Sequence, residues 1–331
     1  MTNIYIDAMG GDFAPQATVE GAVMAVKAYG TPVTLVGREA DIQKELSKYD
    51  VPEGRVRVIH ADSVIGFDEE PVYAVRHKTD ASLVVALEAM KGDDNAVLVS
   101  AGSTGALLTG ALFKLGRVKG IKRPALGAPL PRMDGGRVLL IDCGANADCK
   151  PLYLSQFATM GSIYTSQIWH VKNPKVALLN IGTEAEKGSM AVKEAYALLS
   201  ERQDIRFIGN IESKDALRSE ADVIVTDGFT GNILLKSIEG TASVLMKTVK
   251  NTLLASAKGK LAGALIKNDL SGLKKTFSSD EIGGTPFLGV KGGVIKAHGS
   301  SSAYAIKNAI GQAVAYGEAD ITARIKAALA K

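Results

Sequence analysis

The chain has 331 residues, of which 46% are hydrophobic and only 5% aromatic, and its net charge is +4. No stretch approaches the ~20 consecutive apolar residues of a membrane span, two cysteines do not make a disulfide scaffold, and a charge this small does not imply a nucleic-acid partner. The length suits one large α/β domain or two intimate lobes. Its apolar content, mostly Ala, Val, Leu and Ile, suits helices packed on a parallel sheet. Met1 leads almost directly into the strand NIYID with no secretory signal, so a reducing cytoplasm is expected.

Apolar runs of strand length recur at 3–7, 33–36, 55–59, 96–100, 137–142, 175–180, 205–208 and 222–226, and helical patterns lie between them at 17–29, 80–91, 104–115, 152–169 and 189–201. This alternation predicts right-handed βαβ units in a layered α/β/α unit covering 1–331. From 228 to 277 the rhythm stops and a long helical stretch without a strand is expected. Within it, 241–277 carries seven lysines against one aspartate, a net +6 in a chain totalling +4, so the remainder carries −2. Leu254, Leu261 and Leu265 share one face of this arm; Ile266, Leu270, Leu273 and Phe277 share another. Gly259, Gly263 and Gly272 weaken a rigid helix, which predicts a mobile hairpin or projecting arm. It either packs in a dimer with its lysines in solvent or touches an anionic membrane surface.

Five of the predicted strands end in polar, Gly-rich turns: DAMGGD (Asp7 to Asp12), SAGSTGALLTG (Ser100 to Gly110), DCGANADCKP (Asp142 to Pro151), NIGTE (Asn180 to Glu184) and DGFTGNILLK (Asp227 to Lys236). A strand, a Gly-spaced turn and a helix together present backbone N–H groups to an anion. Ligands of open parallel sheets sit at the carboxyl ends of the strands. The five turns are therefore expected to converge on one cleft for a polar, phosphorylated ligand.

DAMGGD, SAGSTGALLTG, GRVKGIKRPAL (116–126), NIGTE, VTDGFTGN and KAHGSS (296–301) stand in the order of the PlsX family of phosphate acyltransferases, which the chain resembles from residue 3 to about 316. The resemblance implies a Rossmann-like three-layer α/β/α sandwich similar to isopropylmalate dehydrogenase and phosphotransacetylase. It implies transfer of a long-chain fatty acyl group from acyl-acyl carrier protein to inorganic phosphate, without a cofactor. It further implies a cytoplasmic, peripherally membrane-associated homodimer whose acyl phosphate goes to a membrane glycerol-phosphate acyltransferase for phospholipid synthesis. The family usually follows DAMGGD with His; here Phe13 stands there. Loop 1, with Gly10 and Gly11, is therefore read as positioning backbone.

Attack of phosphate on a thioester needs donors for the phosphate and donors aimed at the developing oxyanion; no covalent enzyme intermediate is required. Ser103, Thr104 and Gly105 open a helix and face an anion or simply cap it. Asn232 and Lys236, four apart on one helix face, offer an oxyanion donor and a phosphate cation. The alternatives are a turn residue and a solvated lysine. Asp227 and Gly231 belong to the same turn, Asp227 as helix cap or as orienter of Lys236. His298, beside Ser300, either bonds substrate, acts as acid and base, or is structural. Asn146 and Lys150 add a polar wall, and Glu184 orients a lysine or accepts a hydrogen bond. The six-residue spacing of Cys143 and Cys149 fits no common zinc pattern, and no metal is expected. In the arm, Lys258, Lys260 and Lys267 would meet anionic lipid while Leu261, Leu265 and Ile266 insert. Competing functions are a phosphotransacylase using short-chain acyl-CoA and, more remotely, a non-catalytic membrane-associated scaffold.

Overall fold

The computed structural model describes residues 2–267, 272 and 279–329. Among them, eleven strands form one sheet: β1 Ile4–Asp7, β2 Val33–Gly37, β3 Val56–His60, β4 Val97–Ser100, β5 Ala125–Pro131, β6 Arg137–Ile141, β7 Lys175–Asn180, β8 Arg206–Glu212, β9 Val223–Val225, β10 Thr285–Leu288 and β11 Gly293–Lys296. Their order is β3-β2-β1-β4-β11-β10-β5-β6-β9-β7-β8. The first five of that order run parallel, as do the last four. Between the groups, β10 is antiparallel to β11 and to β5, and β5 is antiparallel to β6. Three reversals leave the two parallel groups pointing in opposite directions along the sheet.

The sequence pattern shows eight of these strands and misses β5, β10 and β11, the three that create the reversals. Each is short or carries Gly or Pro. In β5 the Leu126 N–H bonds the Asp142 carboxylate and its C=O accepts from Cys143 N–H, so both face β6. By alternation, Pro129 and Pro131 face the other side. There β10 pairs only Ala125 and Leu126, so their missing N–H groups interrupt no ladder.

Helices cover both faces. On one, α1 (Gln16–Tyr29), α6 (Pro151–Ile168), α7 (Met190–Ser200) and the helix Ala303–Glu318 pack through Val19, Ala22, Phe157, Leu199 and Ile306 onto Ile4, Ile6, Val99, Ile295 and Ile141. On the other, α3 (Pro71–His77), α4 (Ser82–Ala89) and α5 (Thr104–Gly110, continued by a π turn Ala111–Leu115) bury Val75, Leu83, Leu87 and Leu107 against Leu98 and Val294. Each buried Leu or Val is worth about 1.5–3 kcal/mol over its exposed form. On this second face, α8 (Gly228–Leu254) rests Leu234, Leu235 and Ile238 on the same core. The result is three layers, α/β/α.

Beyond Ile238 the arm leaves the body. Of α8 only Gly228 and Gly231 are buried, and nothing in α9 (Ala257–Leu265) is. Val244, Leu245, Leu261 and Leu265 are 66%, 59%, 66% and 77% exposed. The expected stretch breaks at Ala255, and Ser256 caps α9 through Gly259 N–H at 3.0 Å. Gly259 has a packing role. A Cβ there would stand 2.4 Å from the Leu253 carbonyl, so glycine lets α9 fold against the end of α8. The second predicted face, at Leu270, Leu273 and Phe277, lies outside the described residues.

Candidate active site

Each residue of β1, β4 and β11 alternates between the two faces of the sheet. Asp7, Ser100 and Lys296 end their strands on the face that carries α3, α4, α5 and α8. Ser100 pairs with Lys296 in register, and Ser100 Oγ donates to Asp7 Oδ2 at 2.8 Å. The other Asp7 oxygen accepts from Ser82 Oγ, at the start of α4, at 2.6 Å. Burial pushes the Asp7 carboxyl above its ordinary range, against the pull of these hydroxyls and of the Met9 and Gly10 amides.

The following loops fold over this row. A Cβ on Gly10 would meet Asp7 Oδ2 at 2.4 Å and Gly102 N at 2.8 Å, so the first two loops touch through bare backbone. Gly11 has φ +113°, and Asp12 N–H donates to Gly299 O at 2.8 Å, which brings in the KAHGSS turn. The exposed Phe67 ring lies against Gly299. Ser103 caps α5 through Ala106 N–H at 3.5 Å, which leaves the Thr104 and Gly105 N–H groups without intrahelical acceptors. Gly105 has a packing role too: a Cβ there would lie 2.6 Å from Pro71 Cγ of α3. His298 Nδ1 accepts from Ser300 N–H at 3.3 Å and lies 2.8 Å from Ser300 Oγ. With Nδ1 accepting, the neutral ring carries its proton on Nε2, and the imidazole is exposed.

The other two helix-opening loops, and NIGTE, follow strands of the second parallel group, which runs the opposite way. The ladders offset the two groups, so that Leu140 of β6 stands level with Lys296 and Asp142 lies two residues below that row, three strands away. The loops thus start in two groups, and the charge of Lys236 acts on Lys296 in one and on Cys143 in the other. In the second group Asp142 is fully buried. Its Oδ1 accepts N–H bonds from Leu126, Gly144 and Ala145 at 2.9, 3.2 and 3.1 Å, and its Oδ2 accepts from Asn146 N and Nδ2 at 2.7 and 2.9 Å. Burial pushes its carboxyl up against these donors. Asn146 also donates Nδ2 to Pro124 O and accepts Gly228 N–H on its carbonyl, both at 2.7 Å. Gly231 is obligatory, since a Cβ would lie 1.9 Å from Asp142 O. Asp227 caps α8 by accepting from Thr230 N at 2.7 Å and Thr230 Oγ1 at 2.9 Å. Lys150 stands at the N-cap of α6, with Pro151 at its first position. Glu184, in the β7 turn, accepts the Asn210 amide on its backbone carbonyl. The described contacts of Asn146, Asp227 and Gly231 hold α8 in place.

α8 links the two groups. It starts at the carboxyl end of β9 and runs back over β6 and β5. Eight residues of rise carry Lys236 about 12 Å from Gly228. There its charge is felt by Lys296, and its ammonium pairs with Glu239 at 2.7 Å, both side chains half-exposed. Asn232 is exposed one turn earlier on the same face. Asn232 and Lys236 thus reach toward the first group from a helix anchored in the second.

Neither thiol is a ready nucleophile. Cys143 is buried, donates Sγ to Leu126 O at 3.3 Å and is pushed far up. Burial pushes Cys149 up to about 12. A cavity of about 400 Å³, lined by Thr2, Arg55, Glu318 and Asp320 among others, lies at the amino ends of the first strands, away from both groups.

The sandwich is shared with a phosphotransacetylase from Streptococcus pyogenes, the match covering 96% of this chain and 94% of that one at TM-score 0.60 and 16% identity. It also matches a branched-chain phosphotransacylase from Enterococcus faecalis at TM-score 0.55 and 16% identity, over 95% and 99% of the two chains. At these identities the likeness defines the fold. The sequence goes further. A family model described as fatty acid synthesis protein matches residues 2–324. Phosphate acyltransferase of Clostridioides difficile is 46% identical over 328 residues, 99% of this chain and 96% of that one. That of Alkaliphilus oremlandii is 49% identical over 313 residues, 95% and 93% of the two. The chain belongs to the phosphate acyltransferase family and is an acyltransferase.

Proposed function

We propose that the protein transfers a long-chain fatty acyl group from acyl-acyl carrier protein to inorganic phosphate, giving acyl phosphate for phospholipid synthesis. A phosphate oxygen attacks the thioester carbonyl carbon, the tetrahedral oxyanion collapses, and the C–S electrons leave with the carrier's thiolate. The phosphate rests on the N–H groups of Thr104 and Gly105, with Ser103 as cap and Gly10 and Gly11 shaping the floor. Lys236 neutralises its charge. Asn232 Nδ2 and the Nε2–H of His298, its ring oriented by Ser300, are the donors offered to the oxyanion. Holding both reactants in line supplies much of the acceleration. Asn146, Asp227 and Gly231 act through α8, by fixing its start and hence the reach of Lys236, while Lys150 and Glu184 add to the polar wall of the cleft.

The observation that carries this reading is the meeting of three Gly-rich strand ends at one edge, with a cationic helix face aimed at them. Its test is release of free carrier protein from long-chain acyl-carrier protein in the presence and absence of phosphate, with acyl phosphate trapped by hydroxylamine. Phosphate-dependent release with trapped product is expected; equal release without phosphate identifies a thioesterase and ends the proposal. The likeness to phosphotransacetylases favours one runner-up, an acyl-CoA-dependent phosphotransacylase. It replaces the first reading if acyl-CoA turns over faster than the carrier thioester.

The exposed leucines of the arm, beside Lys258, Lys260 and Lys267, support its contact with an anionic membrane surface, Leu261, Leu265 and Ile266 entering the headgroup boundary. A homodimer would present two tips and gain by avidity. Such a peripherally bound enzyme hands an amphiphilic product to a membrane glycerol-phosphate acyltransferase over a short path through water.

A further inference from the structure

Lys296 opens the KAHGSS motif, yet neither the loops nor α8 account for it. It ends β11, paired with Ser100 on one side and Thr285 on the other. Its side chain stands on the face between the α3–α5 group and α8, in one row with Ser100 and Asp7. Its only described direct partner is the carbonyl of Ala297, to which Nζ donates. Among the described residues no carboxylate lies within ion-pair distance of it. The nearest acid in the row, Asp7, is occupied by Ser82, Ser100 and the amides of Met9 and Gly10.

A mostly buried ammonium without an ion pair is costly unless an anion arrives to meet it. The charged and titratable groups around it are Asp7 from β1, Asp12 from the loop that follows, and Lys236 from α8; Ser100 of β4 and Thr285 of β10 flank it with hydroxyls. Two lysines within electrostatic reach of each other repel, and the repulsion is relieved by a multiply charged anion between them. Glu239 already holds Lys236, so Lys296 is the less compensated cation. Resting on the acyl-transfer reading above, we infer that Lys296 binds the reacting phosphate directly, from the sheet side of the site, opposite Lys236.

This location fixes how binding responds to pH. Burial lowers the Lys296 ammonium to about 8, with Asp7 and Asp12 pulling the other way. Below that pH the group is charged and phosphate is held; above it the charge and the affinity fall together.

The test is steady-state kinetics of Lys296→Met, which keeps the buried stem and removes the charge. The expected result is a rise of about 10- to 100-fold in KM for phosphate, with KM for the acyl donor within about twofold of wild type and no further rise between pH 7.5 and 9. Lys296→Arg, charged throughout, should hold phosphate better at pH 9 than at pH 9 the wild type does. An unchanged phosphate KM in Lys296→Met overturns the inference. A second measurement uses the wild-type protein alone, so it does not depend on a variant folding. Reductive methylation by formaldehyde and a borohydride reagent is mapped by mass spectrometry with inorganic phosphate or with chloride at equal ionic strength. Phosphate should slow modification of Lys296; equal modification in both salts overturns the inference even if acyl phosphate forms. Protection of Lys296 without acyl-phosphate formation leaves it standing and removes the reaction assigned above.

Discussion

Asp7 and Asp142 hold equivalent positions in the two halves of the sheet. Each follows a run of apolar strand residues, each faces the α8 side, and burial pushes both carboxyls up. They differ in their donors. Asp7 takes two hydroxyls, from Ser82 and Ser100, beside the Met9 and Gly10 amides, while Asp142 takes five N–H bonds from Leu126 and its own loop and no hydroxyl. A hydroxyl can turn round and accept; an N–H cannot. The first carboxylate sits in an adaptable setting beside exposed loop backbone. The second is a rigid knot that fixes where a helix begins. One fold thus uses the same residue once among the loops assigned to phosphate and once as a fastening.

The comparison breaks most readily at the two aspartates. Asp142→Asn turns an amide donor toward N–H groups that cannot reciprocate. It should lower unfolding stability by roughly 3 kcal/mol in a urea titration. Asp7→Asn should stay within about 1 kcal/mol of wild type. Asp7 holds its proton more tightly folded than unfolded, so its contribution to stability declines as pH rises through and above the ordinary carboxylate range. Asp7→Asn should flatten that decline. Equal losses in the two variants would erase the distinction.

Asn232→Ala separates the anchor of α8 from its working face. Turnover should fall about 10²-fold, the usual loss for one oxyanion donor, while the urea midpoint stays unchanged because Asn232 is exposed. A fall in stability instead would place Asn232 with the fastening. Further along, Leu261→Glu with Leu265→Glu should abolish sedimentation with anionic vesicles and leave soluble turnover nearly intact. Loss of folding or of dimerisation in that variant would make these leucines packing residues. The smallest effect is expected at Cys149, in the fastening loop. With its thiol pushed up to about 12, labelling by iodoacetamide should stay slow and nearly flat between pH 7 and 9.

The boundary between what the sequence reveals and what it conceals follows this same division. Eight strands were legible because short runs rich in Val, Ile and Leu mark parallel strands, most of them buried. The Gly-rich turns after them were legible because close backbone approach admits no side chain. ALGAPLP, TPFL and GVIK were not, since proline and glycine argue against a strand when the partner's position is unknown. Without those three, the sheet's change of direction was hidden, and so was the offset that sets Asp142 two residues below the row of Asp7 and Lys296. Lys296 was hidden for the same reason: its place beside Ser100 exists only once β11 is paired with β4. Asp142 was visible as a loop's first residue, but its five donors come from a loop conformation and from β5.

The contact between Gly231 and the Asp142 carbonyl makes the start of α8 a pivot. A helix of 27 residues is a rod of about 40 Å. Lys236 sits roughly a third of the way along it, and the arm hangs from its far end. Tilting the rod about that pivot moves the tip about three times as far as the ammonium. A displacement of the tip would reach that charge at about a third of its size, and the packing of Leu234, Leu235 and Ile238 on the core resists it. The seated third of the rod therefore acts as a stiff mounting for the ammonium, and the exposed remainder carries whatever play the arm has.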